Sequence, residues 1–151
     1  MKKKRTSQFK QGIFKPKYPE KYKGTLPILY RSSFELKFMR WCDSNPAVLN
    51  WGSESIIIPY ANPLTGRVSR YFVDNNITLK DKHGNINKYL IEIKPLIQTQ
   101  PPKPTRNTKS LLRRQAEYVK NRAKWESATQ WAKKKGHQFV ILTERELGIS
   151  K

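Results

Sequence analysis

The sequence predicts a mixed α/β domain with a sheet at its centre. Three observations predict it: an aromatic stripe at helical spacing after Ser33, four strand-like runs between Val48 and Lys94, and a long amphipathic segment followed by a further strand. A chain of 151 residues suits one domain with one core and peripheral arms.

Residues 1–27 are basic, broken by Gly12, Pro16, Pro19, Gly24 and Pro27, with Phe9, Phe14, Tyr18 and Tyr22 interleaved at no regular period. Such a segment reads as an extended arm lying on a partner or on the protein's own surface, which divides the chain into an arm at 1–27 and a domain at 28–151. A helix starts at Ser32 or Ser33 and runs to Ser44, because Phe34, Phe38 and Trp41 recur at i, i+4 and i+7 and make one buried stripe. Ser32-Ser-Phe-Glu35 is a capping box, and Asn45-Pro46 ends the helix.

Strands are predicted over Val48 to Trp51, Ser55 to Tyr60 and Val68 to Leu79, with a hairpin turn at Asn62 to Gly66. The turn Asp81 to Asn85 leads into a strand from Tyr89 to Lys94. An antiparallel meander packed against a helix is the simplest assembly. Gln98 to Thr108, rich in Pro and Lys, is a loop.

A long helix then runs from Ser110 to Lys135. At about 100° per residue, Leu111, Tyr118, Trp125 and Ala132 form one apolar row and Leu112, Ala116, Val119 and Ala123 a second. Gln115 falls between the rows, pointing toward the core. Arg113, Lys120 and Lys124 lie on the opposite side as a basic stripe available to phosphates. Gln138 to Leu142 is a short strand, and Thr143-Glu-Arg-Glu146 opens a final helical turn with a capping box.

The charge names the class of partner. Lys and Arg number 31 against 11 Asp and Glu, a net charge of +20. Such an excess calls for a polyanion, nucleic acid first and an acidic membrane surface second. No apolar run approaches the roughly 18–20 residues of a membrane span, and no apolar segment follows Lys2, Lys3, Lys4 and Arg5 as a secretory signal would require. The single Cys42 excludes an intrachain disulfide and reads as a core thiol. His83 and His137 have no partner at metal-ligand spacing. No Gly-rich phosphate loop, nucleotide fingerprint or Ser-His-Asp arrangement is present, which argues against a nucleotide cofactor and against kinase, serine hydrolase or dehydrogenase chemistry.

The chemistry concentrates in Tyr89-Leu-Ile-Glu-Ile-Lys-Pro95. In a strand, Glu92 and Lys94 point one way and Ile91 and Ile93 the other. Burying charge in so apolar a run demands partners. Asp74, at the end of Val68-Ser-Arg-Tyr-Phe-Val73 and seventeen residues before Glu92, is the second acid. A structural salt bridge is the bland alternative, but surface ion pairs contribute little. Two carboxylates can hold Mg²⁺, with Mn²⁺ as an alternative ion, and the metal can activate water and stabilise charge on phosphorus. Lys94 can orient the attacking water or neutralise that charge. Glu35 has a sufficient structural role in its capping box and an alternative one as a third acid near the metal.

Asp74 with Glu92-Ile-Lys94, preceded by a helical Glu35, resembles the PD-(D/E)XK restriction-endonuclease-like nucleases. Tyr30-Arg-Ser-Ser-Phe-Glu35, Val48-Leu-Asn-Trp51, Ile58-Pro-Tyr60, Tyr71-Phe-Val-Asp74 and Ile91-Glu-Ile-Lys-Pro95 are most similar to the branch typified by the transposon-end-cutting endonuclease. Val73 replaces the proline usual before the aspartate. Gln115-Ala-Glu-Tyr118 is similar to the Gln-x-x-Tyr element of some exonuclease relatives. Over its whole length the chain resembles the head completion nucleases of T-even-type tailed phages.

The resemblance implies a restriction-endonuclease-like α/β core, with Glu35, Asp74 and Glu92 as acidic site residues, Lys94 as the catalytic lysine and Gln115 as a further site residue. It implies a nuclease cutting double-stranded DNA in the host cytoplasm during phage assembly, beside head and portal-neck proteins, with the basic arm tracking the DNA backbone. A non-catalytic DNA-binding protein of the head-neck region is the rival reading, and a basic RNA-binding protein of ribosomal type the third.

Overall fold

A computed structural model of the chain describes residues 11–104, 106 and 108–148. Helix α1 (Ser33–Ser44) starts where predicted, the Ser32 hydroxyl accepting from the Glu35 N–H at 3.1 Å, but the Glu35 carboxylate accepts from the Arg31 N–H and not from that of Ser32 as the expected capping box would have it. Its buried face is Phe38, Met39 and Cys42 rather than the predicted stripe; Trp41 is 42% exposed and stacks on Phe38 with ring centroids 5.8 Å apart.

The central sheet has four strands in the order β3 (Val48–Ser53), β6 (Asn75–Lys80), β7 (Ile86–Ile93) and β8 (His137–Leu142). The first two pairings are antiparallel and β7–β8 is parallel, so the sheet is mixed. The strand predicted over Val68 to Leu79 is two strands. β5 (Val68–Phe72) pairs with β4 (Ile57–Ala61) in a separate antiparallel hairpin, and the chain enters the central sheet as β6 after Val73 and Asp74. The single meander is therefore replaced by a sheet and a hairpin that meet at Asp74.

That break lets adjacent segments face opposite sides of the sheet. Tyr71 and Val73 join Ile58, Leu90 and Trp125 on one side, while Ile77 joins Phe38, Met39, Trp51, Ile91 and Ile93 on the other. Strand β7 alternates between the two clusters as its sequence predicts.

Helix α2 (Thr108–Lys135) connects β7 to β8 and packs through Asn121, Trp125, Ala128 and Ala132. Its predicted second apolar row is not a core row: Leu112 is 64% and Val119 44% exposed. The buried positions all lie from Asn121 onward, so its first turns overhang. Helix α3 (Glu144–Leu147) carries the predicted capping box, and Gly148 closes it in the left-handed region at φ 68°. Among the described residues no helix is long and apolar enough to cross a membrane.

Residues 11–27 are built into the domain rather than trailing from residue 28. β1 (Gly12–Ile13) pairs with β2 (Leu29–Tyr30), Phe14 is buried, and the Tyr22 ring meets Trp51 edge-on at 4.8 Å. The Asp43 carboxylate accepts from the backbone N–H groups of Lys17 at 2.8 Å and Tyr18 at 2.9 Å. Lys21 Nζ donates to the carbonyls of Cys42, Asp43 and Asn45 at 2.7, 3.0 and 2.8 Å, a cation at the negative C-terminal end of α1. Lys2, Lys3, Lys4 and Arg5 lie outside the described residues.

Asp43→Ala removes the charged acceptor of two part-buried N–H donors and is expected to lower stability by about 1–3 kcal/mol, measured by thermal unfolding.

Candidate active site

Each charged group of the site is placed by a different element. Asp74 stands at the corner between β5 and β6, where its Oδ2 accepts from the Ile93 N–H at 2.8 Å. That bond ties the aspartate to the strand that carries Glu92. Glu92 is 5% exposed and points toward the α2 side, where the Tyr71 hydroxyl donates to Oε2. Lys94, one residue past β7, lies with Nζ 3.9 Å from Glu92 Oε1 and its side chain 24% exposed. Its N–H donates to the Leu142 carbonyl at 3.0 Å, which extends the parallel pairing to the lysine itself. Glu35 sits in the first turn of α1, where Oε2 accepts from the Arg31 N–H at 3.3 Å and the Ser32 hydroxyl at 3.2 Å.

The electrostatics follow from packing carboxylates together away from water. Burial pushes Asp74 well above the usual carboxylate range, and the charges of Glu92 and Glu35 push it further, against the Ile93 N–H and Lys94. Burial also raises Glu92, opposed by the Tyr71 hydroxyl, Lys94 and Lys124. The Trp125 indole favours the charged Glu92 as well, although its N–H makes no hydrogen bond of ordinary geometry. Glu35 is raised by burial, while Ser32 and Arg31 hold it down. On the α2 side, Lys124 Nζ lies 5.6 Å from the Tyr71 ring centre and 5.8 Å from that of Tyr60. Burial and then Lys120 lower its proton affinity, with Glu92 acting the other way.

Among the described residues no group of three or more His, Cys, Asp or Glu side chains is arranged to hold a metal ion. The donor chemistry nevertheless suits a hard divalent cation. Asp74 and Glu92 are oxygen donors, and each is driven toward protonation by burial. A cation taken up between them would offset the repulsion that Glu92 exerts on Asp74.

Of the residues expected at the site, Asp74, Glu92 and Lys94 come together, and Glu35 lies near enough for its charge to act on Asp74. Gln115 does not point toward the core: it is exposed on the overhanging start of α2, as is Arg113. Lys120 and Lys124 are half-buried; Lys124 is turned toward Glu92 rather than opposite the packed face, and Lys120 pairs with Glu117 at 3.0 Å. Sequence reasoning missed Tyr71, although it stands three residues before Asp74 on an inward strand position. It also missed Arg31 and Glu54, whose carboxylate accepts from both terminal nitrogens of the guanidinium. They are 23 residues apart and no pattern links them.

Residues 45–144 match the family described as TnsA-like endonuclease N terminal. The chain belongs to the TnsA-like endonuclease family. Its mixed central sheet flanked by helices is the restriction-endonuclease-like α/β fold expected of that family. The matched segment of this TnsA-like endonuclease runs from just before β3 to the start of α3, so it contains Asp74, Glu92 and Lys94, while Glu35 precedes it. The chain is also 41% identical over 147 residues to a protein of Enterobacteria phage T4 named head completion nuclease, covering 91% of this chain and 95% of that one. No solved structure matches the chain.

Because Asp74 holds a proton more strongly in the folded than in the unfolded chain, folding stability falls as pH rises from the ordinary Asp range through the raised value. The loss is complete above that value. Asp74→Asn keeps an oxygen for the Ile93 N–H and removes the charge. It is expected to raise the unfolding temperature at pH 7 in EDTA, with a gain that shrinks as pH falls toward about 4.

Proposed function

We propose that the protein is a Mg²⁺-dependent deoxyribonuclease, with Mn²⁺ as a substitute ion, that hydrolyses phosphodiester bonds of double-stranded DNA during phage head completion. The observation that carries this reading is the convergence of Asp74, Glu92 and Lys94 where β5, β6 and β7 meet, with Lys120 and Lys124 of α2 alongside. Membership in an endonuclease family supports the reaction class, and the name of the phage T4 relative supports the stage.

Asp74 and Glu92 would hold the ion, with Glu35 approaching from α1. When bound, the metal supplies charge stabilisation at the phosphoryl group and a water of lowered pKa. Lys94 cannot ligate metal while charged. From the same strand face as Glu92 it orients the attacking water and offsets negative charge developing on the phosphate oxygens. Tyr71 holds one oxygen of Glu92, leaving the other turned toward Lys94. Lys120 and Lys124 take flanking phosphates. Arg113 and Gln115 on the overhanging turns, and Lys2, Lys3, Lys4 and Arg5, extend the grip along the backbone. The protein would work in the host cytoplasm against head and portal-neck proteins, whose DNA it trims or cuts so that filled heads can join tails.

The test uses linear and closed-circular DNA with Mg²⁺ or EDTA. Wild type is expected to cut with Mg²⁺ and not with EDTA, and Asp74→Ala and Lys94→Ala to lose cleavage while still binding DNA. If wild type and both variants leave both substrates intact, the protein is a DNA binder and the nuclease reading fails. Survival of closed circles while linear DNA shortens identifies an exonuclease. Tyr71→Phe is expected to slow cleavage about tenfold, the effect of one lost hydrogen bond to a charged group, in single-turnover measurements.

A further inference from the structure

We propose that Arg31 is a substrate-positioning residue that takes a DNA phosphate on the α1 side of the site, and that Glu54 aims it there. The catalytic part of this assignment rests on the nuclease reading; the phosphate contact does not.

Arg31 immediately precedes the α1 cap, and its N–H is bonded to Glu35 Oε2 at 3.3 Å. Its guanidinium spans to Glu54, with Nη2 3.4 Å from Oε2 and Nη1 bonded to Oε1. The Glu54 N–H in turn donates to the Asp74 carbonyl at 3.2 Å. One end of Arg31 is thus fixed to Glu35, and the other, through Glu54, to the backbone of Asp74. The guanidinium itself is held by Glu54, while Glu35 holds the Arg31 backbone and the Asp74 carbonyl holds the Glu54 backbone.

Stability alone does not account for this clasp. The two side chains are 54% and 31% exposed, and exposed ion pairs contribute only about 0–1 kcal/mol. Glu54 holds the left-handed region at φ 52°, a conformation that costs a non-glycine residue roughly 1–2 kcal/mol. The strain is of the same size as the gain, and it sits beside the candidate site. Backbone strain of this kind clusters where a side chain must be aimed.

Charge supplies the second argument. Of the 11 acidic residues in a chain of net charge +20, Glu35, Glu54, Asp74 and Glu92 gather here. Lys94, Lys120 and Lys124 lie with Glu92 on the β7 and α2 side. Glu35, Glu54 and Asp74 all act on Arg31, so it is a cation set among the acids on the α1 side. A phosphate backbone crossing the site on that side would meet this cation among the carboxylates. Glu54 engages two guanidinium nitrogens, and an arginine has five N–H donors in a planar fork suited to phosphate oxygens.

Duplex binding in EDTA, followed by anisotropy against salt, is compared with single-turnover cleavage in Mg²⁺ for Arg31→Ala, Arg31→Lys and Glu54→Gln. Arg31→Ala is expected to reduce the log–log salt slope by about 0.9, the signature of one lost phosphate contact. It should also lower the cleavage rate about 10- to 100-fold, as for a lost charged hydrogen bond. Arg31→Lys should keep the slope and lose cleavage, because a point charge lacks the fork. Glu54→Gln should keep the slope and cut slowly. An unchanged slope for Arg31→Ala, with any loss confined to the unfolding temperature, makes the pair a structural clasp and overturns the proposal. A reduced slope in a wild-type background that does not cut keeps the phosphate contact and removes the nuclease reading instead.

Discussion

A carboxylate in the fully buried end of a strand constrains everything around it. The last four residues of β7, Leu90 to Ile93, are all buried, Ile91 and Ile93 against the α1 cluster and Leu90 against the α2 cluster. Glu92 stands in that run and has to be accommodated on the α2 side. Tyr71, Lys94, Lys124 and Trp125 all favour its charged form, and they come from β5, the end of β7 and α2. Burial still outweighs them. That residual cost would be relieved by further positive charge placed beside Glu92.

The break between β5 and β6 answers the same constraint. A continuous strand from Val68 to Leu79 would keep the hairpin and the central sheet in one layer. Dividing it at Val73 and Asp74 lets Tyr71 reach Glu92 from one side while Asp74 bonds to the Ile93 N–H. A carboxylate accepting a backbone hydrogen bond from the neighbouring strand is held without a long side chain to order. The parallel β7–β8 pairing fixes the remaining group, because the Lys94 N–H continues that ladder to Leu142.

Much of this was legible in sequence because it is local. Period-two alternation placed Glu92 and Lys94 on one face, the Ser32 cap and the Thr143 capping box marked the starts of α1 and α3, and the acid–x–lysine spacing suggested the chemistry. What escaped is non-local or depends on where an element ends. Leu112, Val119 and Gln115 follow helical periodicity, yet periodicity cannot say that the start of α2 overhangs, so residues read as inward are exposed. The basic stripe was misplaced because Lys124, beside the buried Trp125 and Ala128, lies over the Tyr60 and Tyr71 rings. Gly and Pro in residues 11–27 suggested an arm, whereas the backbone bonds to Asp43 and the aromatic contacts with Trp51 integrate that segment. Nothing in either partner's neighbourhood announces the Arg31–Glu54 pair.

The integration of residues 11–27 changes what counts as the smallest autonomous unit. Helix α1 is held at its C-terminal end by Lys21 and at its N-terminal end by Ser32, next to Arg31 and Glu35. A minimal domain cut at residue 28 would therefore free the far end of the helix that presents the α1 side of the site. Trimming the chain to residue 28 would remove these contacts together with β1.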